Sequence, residues 1–81
     1  MHFVYIIQSI KDLGYYIGIT QDLKKRLAYH NNGRVRSTKH RKPFKLIYSE
    51  NYLTRREARD REKFFKSYKG SKEKLSIIDN L

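Results

Sequence analysis

Eighty-one residues carry 19 Lys and Arg against 8 Asp and Glu, for a formal net charge of +11, with 14% aromatic residues and no cysteine. A chain this small buries only about 60 to 65% of the surface its unfolded form exposes, so residues 1–81 are read as one domain. Disulfides and Cys-based zinc sites are excluded, no stretch approaches the ~20 apolar residues of a bilayer span, and a charge that repels itself this strongly points to a polyanionic partner, nucleic acid first.

Met1 to Tyr5 enters an apolar strand pattern without the basic stretch and long apolar run of a signal peptide, so a soluble, cytoplasmic protein is expected. Residues 2 to 8 alternate as a strand, with Phe3, Tyr5 and Ile7 on one face and Val4 and Ile6 on the other. Lys11 to Gly14 makes a turn, and Tyr15 to Ile19 reads as a second strand; so short a link favours an antiparallel hairpin. On that strand Tyr15, Ile17 and Ile19 look like core, while Tyr16 beside Gly18 leaves open space next to a phenol.

From Asp22 the period becomes helical, with Leu23, Leu27 and His30 on one stripe and a left-handed stop at Asn31-Asn32-Gly33. Arg26 and His30 share a face at the rim of the core. Two readings apply: a site, or one more solvated base and a satisfied histidine whose charge the helix end favours. Arg34, Arg36, Lys39, Arg41, Lys42 and Lys45 form a basic loop around Pro43, best read as a phosphate-contacting surface for DNA. Phe44, Leu46 and Tyr48 then alternate with Lys45, Ile47 and Ser49 as a half-buried third strand.

Thr54 and Glu57 make a capping box, so a helix is expected from Arg55 to about Lys69, with Gly70 as its left-handed stop. Glu57, Arg59, Arg61 and Lys63 fall on its outer faces. Glu62 falls on the inward stripe of Ala58 and Phe65, where a carboxylate needs an ion pair with a facing arginine such as Arg26, or a metal. Ser71 is expected to cap a last short helix that packs through Leu75, Ile78 and Leu81.

Taken together, Val4-Tyr5-Ile6, Tyr16-Ile17-Gly18, the run Ile19 to Leu27 with its arginine, His30, and Arg61-Glu62-Lys63-Phe64-Phe65-Lys66 resemble the GIY-YIG nuclease family over nearly the whole chain. The chain departs from the family pattern at Phe3, where many members have glycine, and at Thr20, where many have lysine. The resemblance implies an α+β fold, a small three-stranded antiparallel sheet flanked by helices. It also implies metal-dependent hydrolysis of DNA phosphodiester bonds, in DNA repair or recombination. Glu62 would hold one Mg²⁺ or Mn²⁺, Arg26 would clamp the phosphate, and Tyr5 or Tyr16 would act on water with help from His30. A partner protein that delivers the domain to DNA is compatible with its size. The rival readings are a non-catalytic basic nucleic-acid-binding module of the same fold and a small RNA-associated protein.

Overall fold

In the computed structural model, which describes residues 1–81, the most apolar segment becomes the central strand: β1 (His2–Ser9) lies between β2 (Tyr15–Thr20) and β3 (Phe44–Tyr52). Both pairings are antiparallel. A strand buried on both faces suits a three-layer arrangement, and β1 supplies both cores. Val4 and Ile6, with Ile17 of β2, face Ala58 and Phe65 on one side; Tyr5 and Ile7, with Phe44, face Leu23 and Leu27 on the other. Helix α1 (Leu23–Asn31) therefore covers one face, and α2 (Arg55–Lys66) with α3 (Tyr68–Asp79) covers the other. Burying Phe65 completely removes apolar area worth about 1.5–3 kcal/mol from water.

The third strand departs from simple alternation. Ile6 pairs with Tyr48 and Ile7 with Leu46, so Ile47 is the extra residue of a bulge. The bulge puts the two halves of β3 out of phase: Phe44 joins the α1 side, whereas Tyr48 and Tyr52 pack on the α2 side. Phe44, Leu46 and Tyr48 thus do not share one face.

Local chemistry sets the helix ends. Asp22 caps α1 by accepting from the Lys25 amide at 3.0 Å, and Gly33, at φ 73°, takes the left-handed turn beyond it. Thr54 caps α2 by accepting from the Glu57 amide, and its hydroxyl donates to the Glu57 carboxylate at 2.9 Å. The expected long helix to Lys69 is instead two helices. Ser67 ends α2 and caps α3, accepting from the Gly70 amide at 3.0 Å. Gly70 is therefore the first turn of α3 rather than a stop, and a Cβ there would fall on the Phe64 carbonyl oxygen. The last helix starts at Tyr68 rather than after Ser71; Ile77 and Ile78 pack inward, while Leu75 and Leu81 stay exposed instead of packing on the domain.

Arg61 also differs from its expected place on an outer face. It donates to Glu50 of β3 at 2.8 Å and to Glu73 of α3 at 3.0 Å, with its guanidinium 4.3 Å from the Phe65 ring centroid. Tyr48 and Tyr52 each donate to Glu50 at 2.6 Å. Burial works against the Glu50 charge, but these three donors outweigh it and hold the carboxyl below its ordinary range. The same burial, together with the Glu50 acceptor, pushes both phenols up to about 12. One arginine thus ties three elements together.

Candidate active site

Tyr5 sits at the middle of β1 directly opposite Gly18. Its ring lies over the glycine, so a Cβ at position 18 would stand 2.7 Å from the phenol Cζ. The space expected beside Tyr16 is therefore filled by Tyr5, whose residue is only 2% exposed. Gly18→Ala should overpack this site, because the buried Tyr5 ring has no room to yield. The expected outcome is a loss of about 1–3 kcal/mol of stability, read as a lower melting temperature; a melting temperature equal to wild type would refute the packing.

A directed chain of hydrogen bonds starts at that phenol. The Thr38 hydroxyl donates to the Val35 carbonyl at 3.4 Å, which leaves its oxygen to accept from His30 Nδ1 at 2.8 Å. With Nδ1 protonated, His30 Nε2 is the acceptor, and the Tyr5 hydroxyl donates to it at 2.9 Å. Arg26 Nε in turn donates to the Tyr5 oxygen at 3.2 Å. His30 is completely buried, not at the rim, because its helical stripe turns into the α1-facing core. Tyr16 packs its ring edge-on against His30 at 5.0 Å and lies near enough to the Arg26 guanidinium to favour its charge.

Burial, followed by the Arg26 charge, pushes His30 down to about 4, so the ring is neutral near pH 7 and the helix end does not charge it. Burial also raises the Tyr5 phenol, and the Arg26 hydrogen bond opposes that rise without reversing it. Arg26 is raised, first by its bond to Tyr5. An unfolded histidine protonates near 6.5, so between about 6.5 and 4 the unfolded chain binds more protons than the folded one. His30 therefore stabilises fully above that window and less as pH falls through it. The urea midpoint of the wild type should fall more steeply over this range than that of His30→Asn; parallel slopes would contradict a buried neutral His30.

Arg26 is the part of this chain that meets solvent. Its Nε is held by Tyr5, the Tyr16 phenol also acts on the guanidinium, and no carboxylate pairs with it. Arg26 borders a cleft of about 180 Å³ that Thr20, Asp22, Lys25 and Tyr29 also line. Lys25 and Arg34 each stand 5.9 Å from the centroid of the Tyr29 ring. A planar guanidinium oriented by phenols and paired with no carboxylate is suited to a phosphate contact.

Glu62 reaches this region from the other layer. Its side chain is 20% exposed and its Oε2 accepts from Lys66 at 3.2 Å, one helical turn on; of the two readings of this carboxylate, the ion pair with Arg26 is not made. No hydrogen bond joins it to Tyr5, Tyr16 or His30. Its charge is nevertheless close enough to Tyr5 to contribute to the raised phenol. Of the basic loop, Arg34, Arg36, Lys39, Lys42 and Lys45 are exposed. Arg41 is not free, since it donates to Asp12 at 2.8 Å and holds that carboxyl down to about 2.

Thr38 escaped the sequence reading. Its one visible mark was to be, with Ser37, a short uncharged side chain inside a run of bases. Nothing in its spacing announces that it is completely buried and orients a histidine.

A β2-β1-β3 antiparallel sheet with helices on both faces and Tyr5, Arg26 and His30 in one hydrogen-bonded cluster defines an α+β domain of nuclease-type fold. The model of the GIY-YIG catalytic domain matches residues 1–75, and the chain belongs to that family. It is 42% identical over 77 residues to the UPF0213 protein YazA of Bacillus subtilis, covering 94% of this chain and 77% of that one. It is likewise 42% identical over 80 residues to the UPF0213 protein YsiG of Lactococcus lactis, covering 98% of this chain and 76% of that one. The solution NMR structure of the UPF0213 protein BH0048 from Bacillus halodurans superposes with a TM-score of 0.55 at 30% identity, covering 94% of this chain and 83% of that chain. No helix is long and apolar enough to cross a membrane.

Proposed function

We propose that this chain is a metal-dependent endonuclease that hydrolyses DNA phosphodiester bonds in repair or recombination, as one domain over residues 1–81. The observation that carries the reading is Arg26, fixed through Nε by the buried Tyr5–His30–Thr38 chain, paired with no carboxylate, and lining a cleft. A guanidinium preorganised in this way stabilises charge that grows on a phosphate without reorganising during reaction.

Glu62 fits a divalent cation. Its Oε1 has no protein partner, and an exposed i, i+4 pair such as Glu62–Lys66 contributes only about 0.3–0.5 kcal/mol. No cluster of three or more His, Cys, Asp or Glu exists in the fold. A cation at Glu62 would thus complete its shell with water and phosphate oxygens, the habit of Mg²⁺ and Mn²⁺ at sites of this kind. Bound there, it would polarise the scissile phosphate and stabilise the leaving oxygen.

The remaining steps belong to the side chains. Arg26 grips two non-bridging oxygens. Tyr5, rather than Tyr16, is the group that acts on water, because its hydroxyl is the one hydrogen-bonded to His30 Nε2, to which it donates when the ring carries its proton on Nδ1. As Tyr5 takes the proton from water, its own passes to His30. Burial is the main cause that holds His30 down, and a phosphate on Arg26 offsets only the smaller contribution of the Arg26 charge, making the histidine a somewhat better acceptor. Tyr16 keeps the imidazole in place by ring contact.

A non-catalytic basic module would explain the charge and the Glu62–Lys66 pair. It leaves the buried proton chain without a use. The two are separated by incubating the protein with nicked, flapped and branched DNA plus Mg²⁺ or Mn²⁺, with chelator controls. Cation-dependent cuts support the nuclease; stable binding with every strand intact, alone or with a delivering partner protein, supports the module.

A further inference from the structure

Three clefts run into one another at the end of the sheet away from the basic loop. The first, about 380 Å³, is lined by Arg55, Arg56 and Arg59 alone. The second, about 250 Å³, shares Arg55 and adds His2, Ile19, Thr20 and Gln21. The third shares Thr20 and ends on Arg26. His2 and Thr20 mark the start of β1 and the end of β2, whereas Ser9, Asp12 and Arg41 tie the basic loop to the other end of β1. Eight residues of strand at about 3.3 Å each separate the two ends by roughly 23 Å, with Tyr5 midway.

The arginine cleft is not explained by folding. Arg55, Arg56 and Arg59 form no ion pair, and the neighbouring Glu57 is occupied by Thr54. Arg55 and Arg59 stand at i, i+4, where like charges repel. All three are exposed, and no apolar side chain lines their cleft, so the occupant it suits is an anion.

We infer that Arg55, Arg56 and Arg59 form a second phosphate-backbone site, which holds DNA on the side of the scissile phosphate opposite to that held by the basic loop. This rests on the nuclease reading for the position of the cut. The backbone enters along the loop, crosses Arg26 and leaves through the cleft at His2 and Gln21 towards the three arginines. The enzyme then grips two arms of its substrate rather than one, and DNA that stops at the cut satisfies only half of the surface.

The test is equilibrium binding of branched DNA against salt, in chelator so that nothing is cut, for wild type and for Arg55→Gln/Arg56→Gln/Arg59→Gln. Glutamine keeps helix propensity close to that of arginine. Each phosphate released lowers the slope of log affinity against log salt by about 0.9, so the triple variant should lose about 2 to 3 from the slope. Arg34→Gln/Arg36→Gln should lower it independently, and the combined losses should add because the surfaces are far apart. At saturating Mg²⁺ with DNA varied, the triple variant should show a raised KM with a smaller change in kcat. An unchanged slope in a folded triple variant would overturn the second site while leaving any cleavage by wild type intact. A lowered slope with no cleavage by wild type would keep the surface and sink the nuclease.

Discussion

Tyr5→Phe is expected to lower single-turnover cleavage by about 10²- to 10⁴-fold, the usual effect of removing a positioned proton-transfer group. The substitution takes away one oxygen and leaves the ring over Gly18. With it go the acceptor for Arg26 Nε and the donor to His30 Nε2. His30 is completely buried, so its Nε2 is left unsatisfied, at about 1–3 kcal/mol. For a domain of this size that should appear as a fall in melting temperature of several degrees. Tyr16→Phe is the control. Its hydroxyl acts on the Arg26 guanidinium but does not link Tyr5, His30 and Thr38, so cleavage should fall less than in Tyr5→Phe. Tyr5→Phe cutting as fast as Tyr16→Phe would place the proton acceptor elsewhere.

Glu62→Gln is expected to lower cleavage by at least 10²- to 10³-fold, as loss of one preorganised charge does elsewhere, while DNA binding holds or tightens. Glutamine conserves shape and gives up only the exposed pair with Lys66, so stability should change by less than about 0.5 kcal/mol. Binding holds because a carboxylate beside a phosphate repels it when no cation intervenes. Equal losses of binding and cleavage with a lowered melting temperature would show that the carboxylate supports the fold and not the chemistry.

Period and capping carried most of the fold in the sequence. Val4 and Ile6 against Tyr5 and Ile7 divide the two faces of β1 as alternation requires, and Asp22 and Thr54 begin their helices where a cap should. The errors arose where one residue shifts the phase. Ile47 bulges out and reverses the facing of β3, a choice made by pairing with β1 and not by local pattern. Ser67 serves two helices at once, and Gly70 is required by the approach of the Phe64 carbonyl, which is a contact between elements. Arg61 looked like a surface base because its partners Glu50 and Glu73 lie on two other elements, distant in sequence.

The site shows the same division. Tyr5, Arg26 and His30 were visible as residue types at compatible spacing, and the sheet and α1 bring them within hydrogen-bonding distance. Thr38 was not visible, because a loop residue becomes a partner only through the path its loop takes. Nor was the depth of His30, which decides that the ring is neutral and an acceptor. Glu62 was visible as an anomaly on an apolar stripe, but its partner Lys66 comes from the next turn of its own helix rather than from Arg26.

The most direct test of the central claim is single-turnover cleavage of end-labelled branched DNA at saturating protein and Mg²⁺, with wild type and Glu62→Gln run side by side and binding measured in the same buffer. Cutting by wild type alone, with both proteins bound, is the result predicted for an endonuclease built on Glu62, Arg26 and the Tyr5–His30–Thr38 chain. Equal cutting by both proteins, or saturated binding with every strand intact in both, would contradict it.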